Sequence, residues 1–397
     1  MPTRCLFLAL ALTLTACGDD DGTPTDDAPE RDGGPTPTVD AAADDAGGVD
    51  AGAVDGGAAP GDFVFAPLEP EPTPAGKVRV AIGLAHGRVV TSCDGLESIV
   101  HDEVFSPDAN DHHEHALKGA AYGDGVFLFN TGHGAPGHVF RSTDGIAWEQ
   151  LPGERFHYAD GTTGPLTGGT RGIFWDGEVF VLIRGRSPRM TSTDGLDWVE
   201  DEGEAIDRKY FHFRSLSYHP SLGRLFMDGT DSPKEVHWLL SSVDSAQSYA
   251  EVEGGFADEC NAWMTLAHGG LVAPGGDLMC LSFDGGDTWR VEEVPDGFGT
   301  YLPTDDGFIA FAGWRRGPQR WDGESWTEET IDNGVRIAAA GRAPWGTYWA
   351  ASRQGTEHWT SQDSVTWEPM AHEGSGNPLR MMLFGYADPS ESCPLAE

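Results

Sequence analysis

The sequence predicts an all-β protein: a seven-bladed β-propeller of four-stranded antiparallel blades, its first blade closed by a C-terminal strand, after a disordered N-terminal tether. Three observations lead there. A Ser-x-Asp turn signature, or a close relative such as Trp321-Asp322-Gly323, recurs with aspartates at 94, 144, 194, 244, 284, 322 and 363, so the repeats are 50, 50, 50, 40, 38 and 41 residues long. Such periods suit one four-stranded blade plus its loops. Between the turns lie apolar runs of strand length with no sustained helical period, such as Val179-Phe180-Val181-Leu182-Ile183 and Gly307-Phe308-Ile309-Ala310-Phe311. Third, large apolar residues are nearly absent from residues 18–76 and frequent after them.

Composition bounds the function classes. The 397 residues carry a net charge of −39, with 25 basic residues against 64 acidic ones. Phosphate neutralisation needs clustered Lys and Arg, so nucleic acid is not an expected partner. A hydrophobic fraction of 39% with 13 Trp supplies a sizeable core.

From the N-terminus, Arg4 precedes an apolar stretch, Cys5 to Ala16, that is too short to cross a bilayer. It ends in Leu14-Thr15-Ala16-Cys17, which resembles the bacterial lipoprotein signal. That resemblance implies a signal peptide over 1–16, cleavage before Cys17 and acylation of its thiol, with the membrane as a partner through the lipid. An ordinary secretory signal cut after Ala16 is the alternative. The expected location is the cell envelope, at the outer membrane or cell surface.

Residues 18–76 hold twelve Asp, three Glu and one Arg, and hence a net charge of −14. Asp, Ala, Gly, Pro and Thr cannot bury enough surface to offset chain entropy, so 17–76 is expected to be the lipidated cysteine plus a disordered, self-repelling linker. Phe63, Val64 and Phe65, its one apolar cluster, are expected to be loose rather than docked.

The propeller is expected over 77–397. In each turn the Asp side chain accepts hydrogen bonds from nearby backbone N–H groups, Gly takes the positive-φ position and a following Trp opens the outer strand. Ser282-Phe283-Asp284-Gly285-Gly286-Asp287-Thr288-Trp289 is the fullest copy; Ser142 to Trp148, Ser192 to Trp198 and Ser361 to Trp367 are close relatives. The signature resembles the Asp-box, or bacterial neuraminidase repeat, of sialidase-like β-propellers. That resemblance implies the fold and places each box on the hairpin between the third and fourth strands of a blade. Asp94, Asp144, Asp194, Asp244, Asp284, Asp322 and Asp363 are accordingly read as structural caps rather than calcium ligands.

Closure is legible too. Counted around Cys93, the first blade is one inner strand short, and Leu379 to Gly385 follows the seventh turn as an extra strand. Pairing it with Val78 to Ile82 hides both sheet edges. Cys93 and Cys393 then share a seam and pair, which leaves Cys260 with Cys280; an exported protein permits both bridges.

Candidate chemistry is sparse. Lys118, Arg171, Arg214, Arg336 and Arg380 stand at the apparent starts of inner strands, where a cationic channel mouth would attract carboxylate or sulfate. The competing reading pairs each with Asp or Glu between blades. Trp314 and Trp345 could form a sugar-stacking platform, or simply pack. His112, His113 and His115, with neighbouring carboxylates, could hold a borderline metal, although their spacing lacks i, i+4 geometry and no cofactor is expected. Sialidases of this fold use three arginines, a Tyr–Glu pair and an acidic proton donor. The chain lacks the Arg-Ile-Pro element of that family, and nothing in it pairs Tyr210, Tyr218, Tyr301 or Tyr348 with a glutamate. The expected function is therefore a monomeric, non-catalytic propeller binding a ligand, glycan or protein partner. A glycan-active hydrolase or lyase using the inner-strand arginines and carboxylates is the alternative.

Overall fold

The computed structural model describes residues 63–395, apart from 86, 94–98, 103, 105–116, 133–136, 168, 186, 202, 207–211, 232–235, 253–259, 276–277, 295–299, 312–317, 330–336, 353–356 and 371–378. The signal segment with Cys17, the tether up to 62, Asp94, His112, His113, His115, Tyr210, Trp314 and Arg336 lie outside the described residues.

Seven sheets follow one another as blades, each antiparallel from an inner to an outer strand. Blade 1 is completed by the chain's last strand: Met381–Ala387 lies beside Val78–Ala85, with Val78 opposite Ala387 and Leu84 opposite Met381. The register extends that expected from sequence by a few residues toward the C-terminus. Blade 2 runs Leu117–Gly123, Val126–Thr131, His138–Ser142 and Glu149–Gln150. Blade 3 starts with Thr170–Trp175 and Phe180–Arg184, blade 4 with His212–His219 and Arg224–Asp231, blade 5 with Thr265–Ala267 and Gly270–Gly275. Blade 6 starts with Thr300–Thr304 and Gly307–Phe311, blade 7 with Ile337–Arg342 and Tyr348–Ser352. Inner strands touch from blade 7 through 1, 2 and 3 to 4, and from 5 through 6 to 7.

Blade 3 departs from four strands. Phe156–His157 adds a fifth, pairing in parallel with Trp198 and Val199 on the outer edge. Helical structure among the described residues is one 3₁₀ turn, Gly153–Arg155. The core fills the gaps between blades; Val80, Ile82 and Leu383 of blade 1, for example, pack with Phe127, Phe129 and Phe140 of blade 2. Both expected cysteine pairs form: Cys93 with Cys393 (Cα–Cα 5.4 Å) across the closing seam, and Cys260 with Cys280 (Cα–Cα 6.2 Å).

Among the described residues the recurrent turns end the third strand of blades 2 to 7, and their chemistry repeats. Ser142, Ser192, Ser242, Ser282 and Ser361 donate their hydroxyls to Asp144, Asp194, Asp244, Asp284 and Asp363 at 2.7–3.1 Å. Each Asp Oδ1 accepts backbone N–H groups two to four residues on, as Asp144 does from Ile146 and Ala147 at 2.8 Å. Trp148 and Trp289 return their indole N–H to the turn carbonyls of Gly145 and Gly286 at 3.2 Å.

These turns also receive bonds from the preceding blade, a feature that local sequence does not disclose. Thr91 of blade 1 donates to Gly145 O (2.6 Å), Arg141 of blade 2 to Asp194 O (3.2 Å), and Arg189 beside blade 3 to Ser245 O. Arg224 of blade 4 donates to Gly285 O (2.9 Å) and Arg320 of blade 6 to Ser364 Oγ (3.2 Å). A positive-φ turn aims a bare carbonyl outward, and a guanidinium can satisfy it while ion-pairing within its own blade, as Arg189 does with Asp201.

The apolar cluster at Phe63–Phe65 differs from expectation: it is docked, and the strap it begins is ordered against the domain. Phe63 sits 4.6 Å from the Phe283 ring and 5.2 Å from Trp321, and Phe65 lies 4.9 Å from His268. Backbone bonds continue the contact, from Val64 N–H to His268 O and from Glu71 N–H to Pro344 O, while Leu68 N–H reaches Asp305. The strap thus crosses the hairpins that join inner to second strands in blades 5, 6 and 7. Its Phe65 ring covers the blade 6 turn, where a Cβ at Gly323 would approach to 2.5 Å. Composition hid this because only four large apolar side chains, Phe63, Val64, Phe65 and Leu68, mark it, and two aromatic rings in a preformed cleft suffice.

Candidate site at the channel mouth

Each inner strand starts at the face opposite the strap. In blade 2, Leu117 faces Thr131 and Gly119 faces Asn130, so Lys118 is the extra residue of a β-bulge. Blade 3 repeats the shift, with Thr170 opposite Arg184 and Gly172 opposite Ile183, leaving Arg171 extra. In blade 4, Phe213 faces Gly229 and Ser215 faces Asp228, leaving Arg214 extra. Arg380 completes the set: its N–H bonds Leu84 O at 2.7 Å, and Leu84 is also the partner of Met381. A bulge re-aims the side chain of its extra residue. Four consecutive blades therefore carry a basic residue at one backbone position.

The arc stops there. In blade 7 the extra residue is Ala338, between Ile337 and Ala339. Among the described residues the recurrence read from sequence is seen in four blades; Arg336, the fifth, lies outside them. Blade 6 pairs without a shift from Thr300 to Thr304.

Close backbone approach brings two of the cations together. A Cβ on Gly119 would come within 2.7 Å of Ile173 N and 3.0 Å of Gly172 Cα, so the inner strands of blades 2 and 3 approach this closely only because residue 119 is glycine. Burial, helped by the Arg171 guanidinium, pulls the Lys118 ammonium down to about 8. Arg171 is itself 9% exposed and lies against Gly185, where a Cβ would fall 2.7 Å from its Nε.

Asn130, unremarked in the sequence, is fully buried beside this pair. Its Oδ1 lies 3.0 Å from the Cβ direction of Gly119, and neither amide atom has a hydrogen-bond partner among the described residues. The equivalent residue of blade 4, Asp228, receives the Ser215 hydroxyl. Its counterpart in blade 3 is apolar, Ile183. The only signal in the sequence was a polar residue closing the apolar run Val126-Phe127-Leu128-Phe129.

Other expected groups lie apart. Trp345 is at the strap-side face, packed 6.0 Å from Phe384 and 5.7 Å from Tyr386 with the Arg79 guanidinium 5.9 Å over its ring, so it does not join the arc. Tyr218 stacks on Phe174 at 4.4 Å between blades 3 and 4, Tyr301 is buried in the blade 5–6 core, and Tyr348 neighbours Arg342. Among the described residues no three His, Cys, Asp or Glu side chains gather as a metal site. No described helix is long and apolar enough to cross a membrane.

No family model and no curated protein matches the chain. Among solved structures, YCF48 bound to a D1 peptide aligns at 14% identity and TM-score 0.48, covering 68% of this chain and 93% of that one. A GH74 xyloglucanase from Xanthomonas campestris aligns at 14% identity and TM-score 0.47 over 82% of this chain, which spans about half (54%) of the enzyme. A streptogramin B lyase aligns at 10% identity and TM-score 0.43, covering 66% of this chain and 84% of the lyase. A binding protein and two enzymes on one fold carry no argument about activity.

Proposed function

We propose that this chain is an exported lipoprotein, acylated at Cys17, whose propeller is a non-catalytic binding module with Asp-box turns. Its ligand, a glycan or a protein partner, engages the face that carries Lys118, Arg171, Arg214 and Arg380. The observation that supports this most is the repeated bulge. One cation per blade over four blades is kept at the same place, and one of them, Lys118, is held there against an electrostatic cost. Arg141, Arg189, Arg224 and Arg320, which bond the turns of the next blade, stand at other positions. The leader ending in Leu14-Thr15-Ala16-Cys17, the acidic segment after it and two cysteine pairs support export and an anchor at the envelope.

The test uses the mature chain, extracted in detergent, on a glycan array, in envelope-protein capture and against a fluorogenic glycoside panel. Binding without turnover that weakens at least tenfold in Lys118→Met is the expected result. Turnover of any glycoside overturns the non-catalytic reading.

A further inference from the structure

The strap is held as a peptide ligand is held. It adds no strand to any blade. Instead its main chain is met at four points: Val64 N–H by His268 O (3.3 Å), Leu68 N–H by Asp305 (2.9 Å), Leu68 O by the Arg342 guanidinium and Glu71 N–H by Pro344 O (2.8 Å). Phe63 and Phe65 anchor it among Phe283, Phe308 and Trp321. An extended, proline-rich segment with aromatic anchors suits an aromatic-lined groove. Blade 6 depends on this occupant. The recurrent turns of blades 2, 3, 4, 5 and 7 each receive a bond from the blade before, whereas among the described residues the blade 6 turn receives none from blade 5. The Phe65 ring lies there instead, against Gly323. The part that completes this seam therefore comes from outside the ring and is joined to it through one turn. Lys77 N–H bonds Pro74 O (3.0 Å), and Gly76, at φ +76°, has open space around it. Pivoted there, Phe63 to Thr73 spans about 35 Å when extended, enough to reach a neighbouring molecule.

The surface beside the groove is apolar where solvent would favour polar groups. Hairpins between inner and second strands and turns after third strands lie on one face, because neighbouring strands are antiparallel. Of the seven large apolar side chains exposed among the described residues, four lie on that face: Val64 of the strap, Leu222 and Val243 of blade 4 and Val365 of blade 7. Blade 4 precedes the strapped blades and blade 7 ends them, so these side chains flank the groove. We propose that this face pairs with the same face of a second copy, each strap seated in the other copy's groove. A two-fold pairing is self-complementary, so one surface both offers and receives the strap. The strap makes the same contacts in either copy; what the pair adds is cover for the four apolar side chains of each. The faces that carry Lys118 and Arg171 then point away from one another, and the pairing is independent of what they bind. A net charge of −39 on each chain opposes it, so salt strengthens it.

The experiment mixes two mature full-length chains in detergent, one carrying Leu68→Cys and the other Asp305→Cys. Leu68 N–H bonds the Asp305 side chain, so the two positions lie within reach of a disulfide. After mild oxidation, mass spectrometry of linked peptides measures the bond formed between chains. A partner with Val199→Cys instead, exposed on the outer strand of blade 3, measures chance collision. Expected is a link between positions 68 and 305 at least about tenfold above that background and growing with salt. Val243→Asp combined with Val365→Asp, outside the groove, is expected to lower it at least about fivefold without moving the melting midpoint. A link no stronger than collision overturns the exchange, and one that these two substitutions leave unchanged overturns the face-to-face pairing. Because each cysteine removes a strap contact, the unsubstituted chain is also weighed by sedimentation equilibrium up to about 1 mM, the effective concentration with which docking in the same copy competes. Dimers are expected. Monomers throughout, or a face covered instead by another envelope protein in cross-linking, overturn the proposal.

Discussion

Lys118 and Arg171 occupy the same bulge position on neighbouring blades, and burial together with that guanidinium lowers the Lys118 ammonium from 10.5 to about 8. The folded-state value lies below the ordinary one, so folding disfavours the charged form. The penalty is full below pH 8 and fades as pH rises from about 8 to 10.5. Lys118→Met, which keeps the apolar stem, is expected to raise the unfolding midpoint at pH 7, with the gain closing above pH 10. Equal midpoints at pH 7 would show that the amine is accommodated without cost.

Guanidinium contacts to the turn of the next blade are expected to matter more than surface ion pairs. Arg189→Met removes the bond to Ser245 O and the pairing with Asp201, and should cost about 1–3 kcal/mol in denaturant titration. Arg155→Ala, which breaks an exposed pair with Asp197, should leave the midpoint unchanged. Equal effects of the two would remove the turns from the account of how blades are held together.

The strap makes the folded unit start earlier than its composition suggests. A chain beginning at Lys77 is expected to be less stable than one beginning at Phe63 by about 2–5 kcal/mol, from exposure of the aromatic cleft at Phe283, Phe308 and Trp321. Intrinsic Trp fluorescence during urea unfolding of both chains measures this. Coincident curves would mean that the strap rests on the domain without supporting it.

Acid should act in two windows. Burial lowers His219 from 6.5 to about 4, so the folded state keeps it neutral, and the stability this provides is lost as pH falls from 6.5 toward 4. Asp284 is raised by partial desolvation but lowered further by hydrogen bonds from Thr288, Ser282 and Asp287, ending at about 2. Its contribution is present above 3.8 and lost between 3.8 and 2. His219→Phe should flatten only the first window in a pH series of thermal melts. Asp284→Ala should lower stability at pH 7 by about 1–2 kcal/mol and flatten the second.

Blade number, turn chemistry, the closing strand and the cysteine pairs were legible because each rests on short-range rules. Ser282, Asp284, Thr288 and Trp289 lie within eight residues and make their bonds to one another or to the turn backbone. Cys93 and Cys393 followed from one extra strand that had to cover one open edge. The cationic set was legible only in outline. Lys118, Arg171, Arg214 and Arg380 share a position, which the bulge in each register sets and a strand pattern does not reveal. Trp345, read with Trp314 as a sugar-stacking platform or as packing, lies at the far end of the inner strands against Phe384.

By itself the sequence determined the repeat, its count and the residues able to make a tight Asp-capped turn, because those depend on neighbours along the chain. Tertiary structure alone decided that Phe63 and Phe65 dock, which arginines join blade to blade, and that Asn130 is buried where Gly119 meets blade 3. Those relations arise when strands far apart in sequence close into a ring, and the approach of Gly119 to Gly172 then sets which side chains meet.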